Sequence, residues 1–330
     1  MSPRTVAALV ATGLLASALV GCSTDQEPTV GAEAPSPSAT ASVTPSASAS
    51  APAIPAGSAP ERTFALGVRK LKANPDDDRK VPITIWYPAV GRAGGNPVSG
   101  ADAADGTFPV IMFSHGLGGY PEDYATLVTR WAAAGFVVAA PTFPNTSGSS
   151  ANLNVFDVLN QAADVSSALT RVLALDTRDG DPLRGRLATD RVAAAGHSAG
   201  GVTTIGLFTF NRDIRLSAGV VLSGTAAGVG TAFAGTPAPQ LFVHGEVDEV
   251  VQYAAGKAAY DKVPWPKAML SLPDGDHGRG LLRDEGASLR VVSDTTIEFL
   301  RWTLYGDAEA KERISTAASR DGIANLDNQL

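Results

Sequence analysis

From Arg62 onward, short apolar runs alternate with helical patterns, and this alternation limits the folds open to the chain more than any other feature. The runs at 63–71 and 82–88 read as an opening strand pair, and those at 108–113, 136–140, 191–195, 218–222, 240–243 and 268–272 as further strands. Helical patterns fall at 122–134, 153–175, 199–210, 252–262 and 290–304, the last closing the domain. In the longest, Ala162, Val165, Leu169, Val172 and Leu173 share one face, as a helix packed on a core requires. Strand then helix, repeated, predicts an α/β fold with a mostly parallel sheet covered on both faces. Such a sheet gathers its loops at the carboxyl ends of the strands, where sites are built. Asp76-Asp77-Asp78, between the opening strands, reads as a solvated hairpin tip rather than a metal site.

Gly196-His197-Ser198-Ala199-Gly200 fits G-x-S-x-G and stands between the 191–195 strand and the 199–210 helix. On such a strand-to-helix turn a Ser is presented above the sheet as a nucleophile. The helix that begins behind it turns its positive dipole end toward a developing oxyanion. A nucleophilic Ser needs a base and an orienter for that base, which in this architecture follow in the order acid, then His. After Ser198 come His244 and His277. His277, in Asp274-Gly275-Asp276-His277-Gly278 between the last strand and the closing helix, is the expected base. Asp248, just past the 240–243 strand, is the expected orienter, with Glu246 and Glu249 as neighbours in the same turn. The 218–222 strand runs into Ser223-Gly224-Thr225 and offers no acid. His115, His197 and His244 read as loop-bracing residues.

An oxyanion hole needs two backbone donors. One is the Ala199 N–H, next after the nucleophile. The other is expected in Ser114-His115-Gly116-Leu117-Gly118-Gly119, with Leu117 N–H the candidate and Gly116 nearby. Tyr120 and Phe143, in loops after the 108–113 and 136–140 strands, are candidate substrate-binding residues. Residues 223–239 are rich in Gly, Ala and Thr and lack the apolar stripe of an amphipathic lid.

With these motifs the chain resembles an α/β-hydrolase over residues 62–306: GHSAG as the elbow, HGLGG as the oxyanion loop, HGEVD as the acid turn and DHG as the base. Within that superfamily it is similar to the dienelactone-hydrolase and platelet-activating-factor acetylhydrolase-like group, through Ile83-Thr84-Ile85-Trp86-Tyr87-Pro88 and through Phe113-Ser114-His115-Gly116 with Tyr120 and Tyr124 after it. It is also similar to bacterial cutinase-like polyester hydrolases. It departs from dienelactone hydrolase proper in having Ser198 where that family has Cys, and from secreted cutinases in lacking their disulfides. The resemblance implies a serine esterase without a large cap domain, working on a short-chain, lipid or polyester substrate through Ser198, His277 and Asp248. An acyltransferase with the same triad and a non-catalytic binding lipoprotein are the rival readings.

The amino-terminal region carries a different kind of signal. Val6 to Val20 is uncharged and mostly apolar, too short for a membrane span of about 20 residues but suited to a signal-peptide core. It runs into Leu19-Val20-Gly21-Cys22, which resembles the lipobox of bacterial lipoproteins, and Cys22 is the only Cys of the chain. The expected division is a signal peptide at 1–21, an Ala/Pro/Ser/Thr-rich disordered tether at 22–60 beginning with a lipidated Cys22, and a catalytic domain at 61–330. A lipid on Cys22 would make the chain an extracytoplasmic membrane lipoprotein. The single Cys excludes an internal disulfide framework and a thiolate zinc cluster. A net charge of −7 argues against a nucleic-acid partner, which wants a basic patch. The chemistry calls for no cofactor and no metal. The sequence leaves the oligomeric state open.

Overall fold

The computed structural model describes residues 54–73, 76–278 and 286–330. The expected signal peptide, Cys22 and the tether as far as residue 53 lie outside the described residues. The strands are β1 (Ala65–Leu71), β2 (Ile83–Ala89), β3 (Val98–Ser99), β4 (Phe108–Ser114), β5 (Val137–Pro141), β6 (Leu187–His197), β7 (Leu216–Leu222), β8 (Gln240–Gly245), β9 (Lys267–Leu272) and β10 (Asn325–Gln329). The α-helices are α1 (Ala125–Ala133), α2 (Val158–Leu173), α3 (Ala199–Gly206), α4 (Tyr253–Asp261), α5 (Ala287–Leu300) and α6 (Ala308–Ser319). Among the described residues no helix is long and apolar enough to cross a membrane.

The strands join in one sheet, in the order β10-β9-β8-β7-β6-β4-β5-β2-β1-β3. The pairs from β5 through β4, β6, β7 and β8 to β9 are parallel. β2 on β5, β1 on β2 and β10 on β9 are antiparallel. This is the expected α/β-hydrolase architecture, a mostly parallel sheet with no large cap domain among the described residues. Successive strand residues serve opposite faces. Ile111 and Phe113 of β4 pack into one core with Trp131 of α1, Phe299 of α5 and Ile314 of α6. Val110 and Met112 pack into the other with Val165 and Leu169 of α2 and Ile205 of α3. Burial on both faces is why these strands read as continuous apolar runs rather than as alternation.

Chain order reverses at the centre: β5 adds on one side of β4, and β6 and its successors add on the other. Such a switch point leaves a crevice beyond the carboxyl ends of the two central strands. Ser114 at the end of β4 pairs with Gly196 of β6, so the loops after these strands start side by side.

Three features differ from the sequence expectation. First, the helix at 290–304 does not close the chain. α5 passes into a π-helical turn at Arg301–Tyr305, and α6 and β10 follow. Second, the helix after the elbow ends at Gly206 rather than 210. Third, residues 54–60, placed in the tether from composition, lie against the domain. Gly57 bridges to Asp307, the Ala59 N–H donates to the Asp307 carboxylate, and Ile54 packs on the core. Small residues with prolines fit that narrow backbone track even though they supply little apolar area.

The loop between β1 and β2 is fastened by an arginine. Arg79 reaches α2 and the turn before it, with nitrogens 2.7 and 2.6 Å from Asp164 and 2.9 and 2.7 Å from Asp157. Both carboxylates are buried. Burial alone would raise the Asp157 carboxyl, but hydrogen bonds from Arg79, Asn160 and Asn145 together with the Arg79 charge outweigh it and hold it below its ordinary value. Arg79→Met strands two buried carboxylates, and because Arg79 is partly solvated the expected cost is about 2–3 kcal/mol. Urea unfolding at neutral pH reads this as a lower midpoint at unchanged slope. The Asp157 share of stability is present above the unfolded carboxylate pKa and disappears as pH falls through the depressed folded value. An unchanged midpoint for Arg79→Met would show that the clamp carries no stability.

Candidate active site

β6 ends in His197, and α3 begins at Ala199, leaving Ser198 alone to make the turn. Its backbone has φ 58° and ψ −118°, a conformation L-residues avoid, so the elbow holds local strain. The turn closes because α3 comes very near β4: a Cβ built on Gly200 would lie 2.0 Å from the Ser114 carbonyl oxygen, so only glycine fits there. The Ser198 N–H donates to the Leu222 carbonyl at 2.9 Å, pinning the elbow to β7.

The structure brings Ser198, His277 and Asp248 together. His277 Nε2 lies 2.8 Å from Ser198 Oγ, and His277 Nδ1 lies 2.7 Å from Asp248 Oδ2. An ionised carboxylate only accepts, so Nδ1 carries the ring proton and Nε2 is left to accept from the Ser198 hydroxyl. Asp248 has no exposed side-chain surface, while His277 stays 21% exposed and so faces the solvent from which a substrate arrives. Asp248 Oδ1 accepts from the Val250 and Val251 N–H groups, each at 2.8 Å. The neighbouring Glu246 and Glu249 are exposed.

His244 has a larger part than the sequence suggested. Its Nε2–H donates to the Val251 carbonyl at 2.8 Å and also lies 3.3 Å from Asp248 Oδ2. Burial pushes the Asp248 carboxyl up, but hydrogen bonds from His244 and His277, attraction to His277 and the Val251 N–H outweigh it. The net effect holds Asp248 well below the usual carboxylate range. The i, i+4 spacing of His244 and Asp248 across the strand end was the available signal.

The Ser114–Gly119 turn sits against the elbow: a Cβ built on Gly116 would lie 3.3 Å from the Ser198 Cβ. Gly116 N–H donates to the Tyr124 hydroxyl, Gly118 N–H to the Thr146 carbonyl and Gly119 N–H to the Gly116 carbonyl. The Leu117 N–H has no acceptor among the described residues. Its direction is fixed, because the Gly116 carbonyl across the same planar peptide accepts from His115 Nδ1 at 2.8 Å as well as from Gly119. His115 is fully buried, which lowers its pKa, and its Nε2 accepts from the Phe143 N–H. Bracing is thus what its contacts do. The Ala199 N–H is in the first turn of α3, where N–H groups lack intrahelical acceptors.

Of the expected pocket residues, Tyr120 is 37% exposed beside this turn. Phe143 is completely buried, its ring centroid 5.0 Å from that of His115, and it belongs to the core rather than to an open surface. Its loop position suggested access, but the loop folds its ring inward. Leu153 approaches Gly118 and, with Phe156, is an exposed apolar residue that the sequence reading did not single out. Grooves of about 440 and 700 Å³ elsewhere are lined by Arg301 and Arg313 and contain no residue of the Ser198–His277–Asp248 chain. Among the described residues no group of three or more His, Cys, Asp or Glu is placed to hold a metal ion.

Residues 98–238 match the chlorophyllase family model, a span that includes Ser198 and the 114–119 turn but stops short of Asp248 and His277. The chain is 27% identical over 267 residues to platelet-activating factor acetylhydrolase from Bos taurus, covering 68% of this chain and 57% of the relative. It is also 27% identical over 179 residues to platelet-activating factor acetylhydrolase from Cavia porcellus, covering 42% of this chain and 40% of the relative. The chain thus spans about half the length of the relatives it matches.

Proposed function

We propose that this α/β-hydrolase cleaves carboxylic esters through an acyl-enzyme on Ser198. The observation that carries the reading is the hydrogen-bonded chain Ser198–His277–Asp248, at 2.8 and 2.7 Å, on a strained elbow at the switch point of the sheet. Ser198 Oγ attacks the ester carbonyl while His277 Nε2 takes its proton. Asp248 holds the Nδ1–H tautomer and stabilises the imidazolium. The Leu117 and Ala199 N–H groups receive the oxyanion, a contribution of about 10²–10³ in rate for each such donor. The leaving alcohol takes the proton back from His277, and water activated by the same nitrogen releases the acid.

The relatives are named as acetylhydrolases acting on platelet-activating factor. A short acyl group on a small or lipid alcohol is the substrate class proposed here. Residues 223–239, between β7 and β8, contain no helix, which supports an open site. The location proposed is a membrane surface, through lipid on Cys22, and that part stands on the amino-terminal sequence alone.

A fluorophosphonate probe is expected to label Ser198, and p-nitrophenyl acetate and butyrate to turn over with hyperbolic kinetics. The rate should show no jump as substrate passes its solubility limit. A protein that neither labels nor hydrolyses any ester in an acyl-length series would defeat the proposal. A steep rise on emulsified triglyceride alone would refute the short-acyl, open-site part.

A further inference from the structure

Tyr124 and His197 are absorbed by neither the triad nor the oxyanion donors, yet they touch both. Tyr124 ends the 3-10 turn Pro121–Tyr124 and is 1% exposed, with its ring 4.9 Å from that of Phe113. Its hydroxyl accepts from the Gly116 N–H at 2.9 Å and lies 2.9 Å from His197 Nδ1. His197 Nε2 lies 2.5 Å from the backbone carbonyl oxygen of His277. A carbonyl only accepts, so Nε2 carries the His197 proton and Nδ1 accepts from the Tyr124 hydroxyl. The His197 ring also leans on the His277 ring, with centroids 4.8 Å apart.

Resting on the esterase reading, we infer that Tyr124 and His197 form a positioning relay that holds the Leu117 turn and the His277 loop in register around Ser198. The chain of bonds is continuous: Gly116 N–H to Tyr124, Tyr124 O–H to His197, His197 Nε2–H to the His277 carbonyl. It joins the residue before one oxyanion donor, the residue before the nucleophile and the backbone of the base. These come from the ends of β4, β6 and β9, which no single turn could fix relative to one another. Hydrogen bonding the Gly116 N–H to Tyr124 also leaves Leu117 as the donor available to an oxyanion. A small error in that geometry is costly, since a displacement of about 1 Å in a reacting group lowers rate by about 100-fold. Tyr124 and His197 are positioning residues, because neither reaches the reacting atoms except through its neighbours.

The test compares kcat, KM and thermal midpoint for Tyr124→Phe, His197→Gln and His197→Leu. Tyr305→Phe serves as control, because the Tyr305 hydroxyl is also buried and also hydrogen-bonded to the backbone, donating to the Gly135 carbonyl at 2.5 Å. Tyr124→Phe is expected to lower kcat by about 10- to 100-fold with KM changed less than about twofold. Gln can still donate toward the His277 carbonyl, so His197→Gln should keep about ten times the kcat of His197→Leu. The double variant Tyr124→Phe/His197→Leu should lose no more than the worse single, as members of one unit do. Wild-type kcat in Tyr124→Phe, an equal loss in Tyr305→Phe, or equal kcat in the two His197 variants would overturn the relay. The His197 pair decides the matter if Tyr124→Phe does not fold. Activity retained by Ser198→Ala would instead overturn the esterase reading, a separate outcome.

Discussion

Ser198→Ala is expected to fold normally and to lose ester hydrolysis by about a million-fold, as when the nucleophile of a comparable triad is removed. That factor is about 8 kcal/mol of transition-state stabilisation. What remains is the background rate raised by oxyanion donors and binding alone. The fold should tolerate the change because the missing atom is one hydroxyl at the mouth of a turn whose backbone is held from Leu222, through the Ser198 N–H. The same position supports a finer comparison. With φ at 58°, Ser198 and an alanine in its place share one unfavourable backbone conformation, and glycine does not. Ser198→Gly should therefore be as inactive as Ser198→Ala yet more stable by about 1 kcal/mol. Turnover of p-nitrophenyl acetate and thermal unfolding of the three proteins measure both effects. A folded Ser198→Ala protein with undiminished turnover would remove the mechanism.

Asp248→Asn is expected to lower kcat by about 10⁴-fold, for a reason written in the acid turn. Oδ1 accepts from two backbone N–H groups, Val250 and Val251. The amide oxygen of Asn must stay there, so its NH₂ faces His277 Nδ1. Two donors cannot share a hydrogen bond, and the imidazole answers by moving its proton to Nε2. That nitrogen then donates toward Ser198 instead of accepting from it, and the base is lost with its position intact. Because His244 and His277 hold the Asp248 carboxyl depressed, its stabilising charge persists down through the ordinary carboxylate range and disappears only as pH falls through that lower value. Loss of activity at pH values above that range is therefore not a titration of Asp248. Near-wild-type turnover in Asp248→Asn, with Glu246→Gln or Glu249→Gln inactive, would move the acid to another residue.

The central parallel strands were legible because burial on both faces makes them continuous apolar runs, as in Phe108–Ser114 and Leu216–Leu222. The elbow was legible because its close approach requires small residues at fixed spacing. Elements that owe their place to partners were harder to read. β10 is Asn-Leu-Asp-Asn-Gln, poor strand formers that pair through the backbone with β9. α6 carries a narrow stripe of Ala310, Ile314 and Ala317, and its one clear signal is the Asp307 side chain accepting from the Ala310 N–H at its start. The contacts of His244, Tyr124 and His197 depend on which loops meet. Spacing along a chain cannot state that for bonds reaching from Tyr124 to His197, 73 residues away, and from His197 to His277, 80 residues away.

The two outermost strands of the sheet bear on how copies of the protein behave when crowded together. An unpaired strand edge is a template for another chain, and a long apolar one invites fibrillar stacking. Here one border is β3, only two residues long and exposed. The other is β10, where Asn325, Asp327, Asn328 and Gln329 are all exposed. A strand approaching β3 finds too few backbone groups to hold it. One approaching β10 meets amides and a carboxylate that would have to give up water, and a second β10 would bring Asp327 against its own like charge. The polar composition that made this strand unreadable as a strand is what makes it a safe place for the sheet to stop.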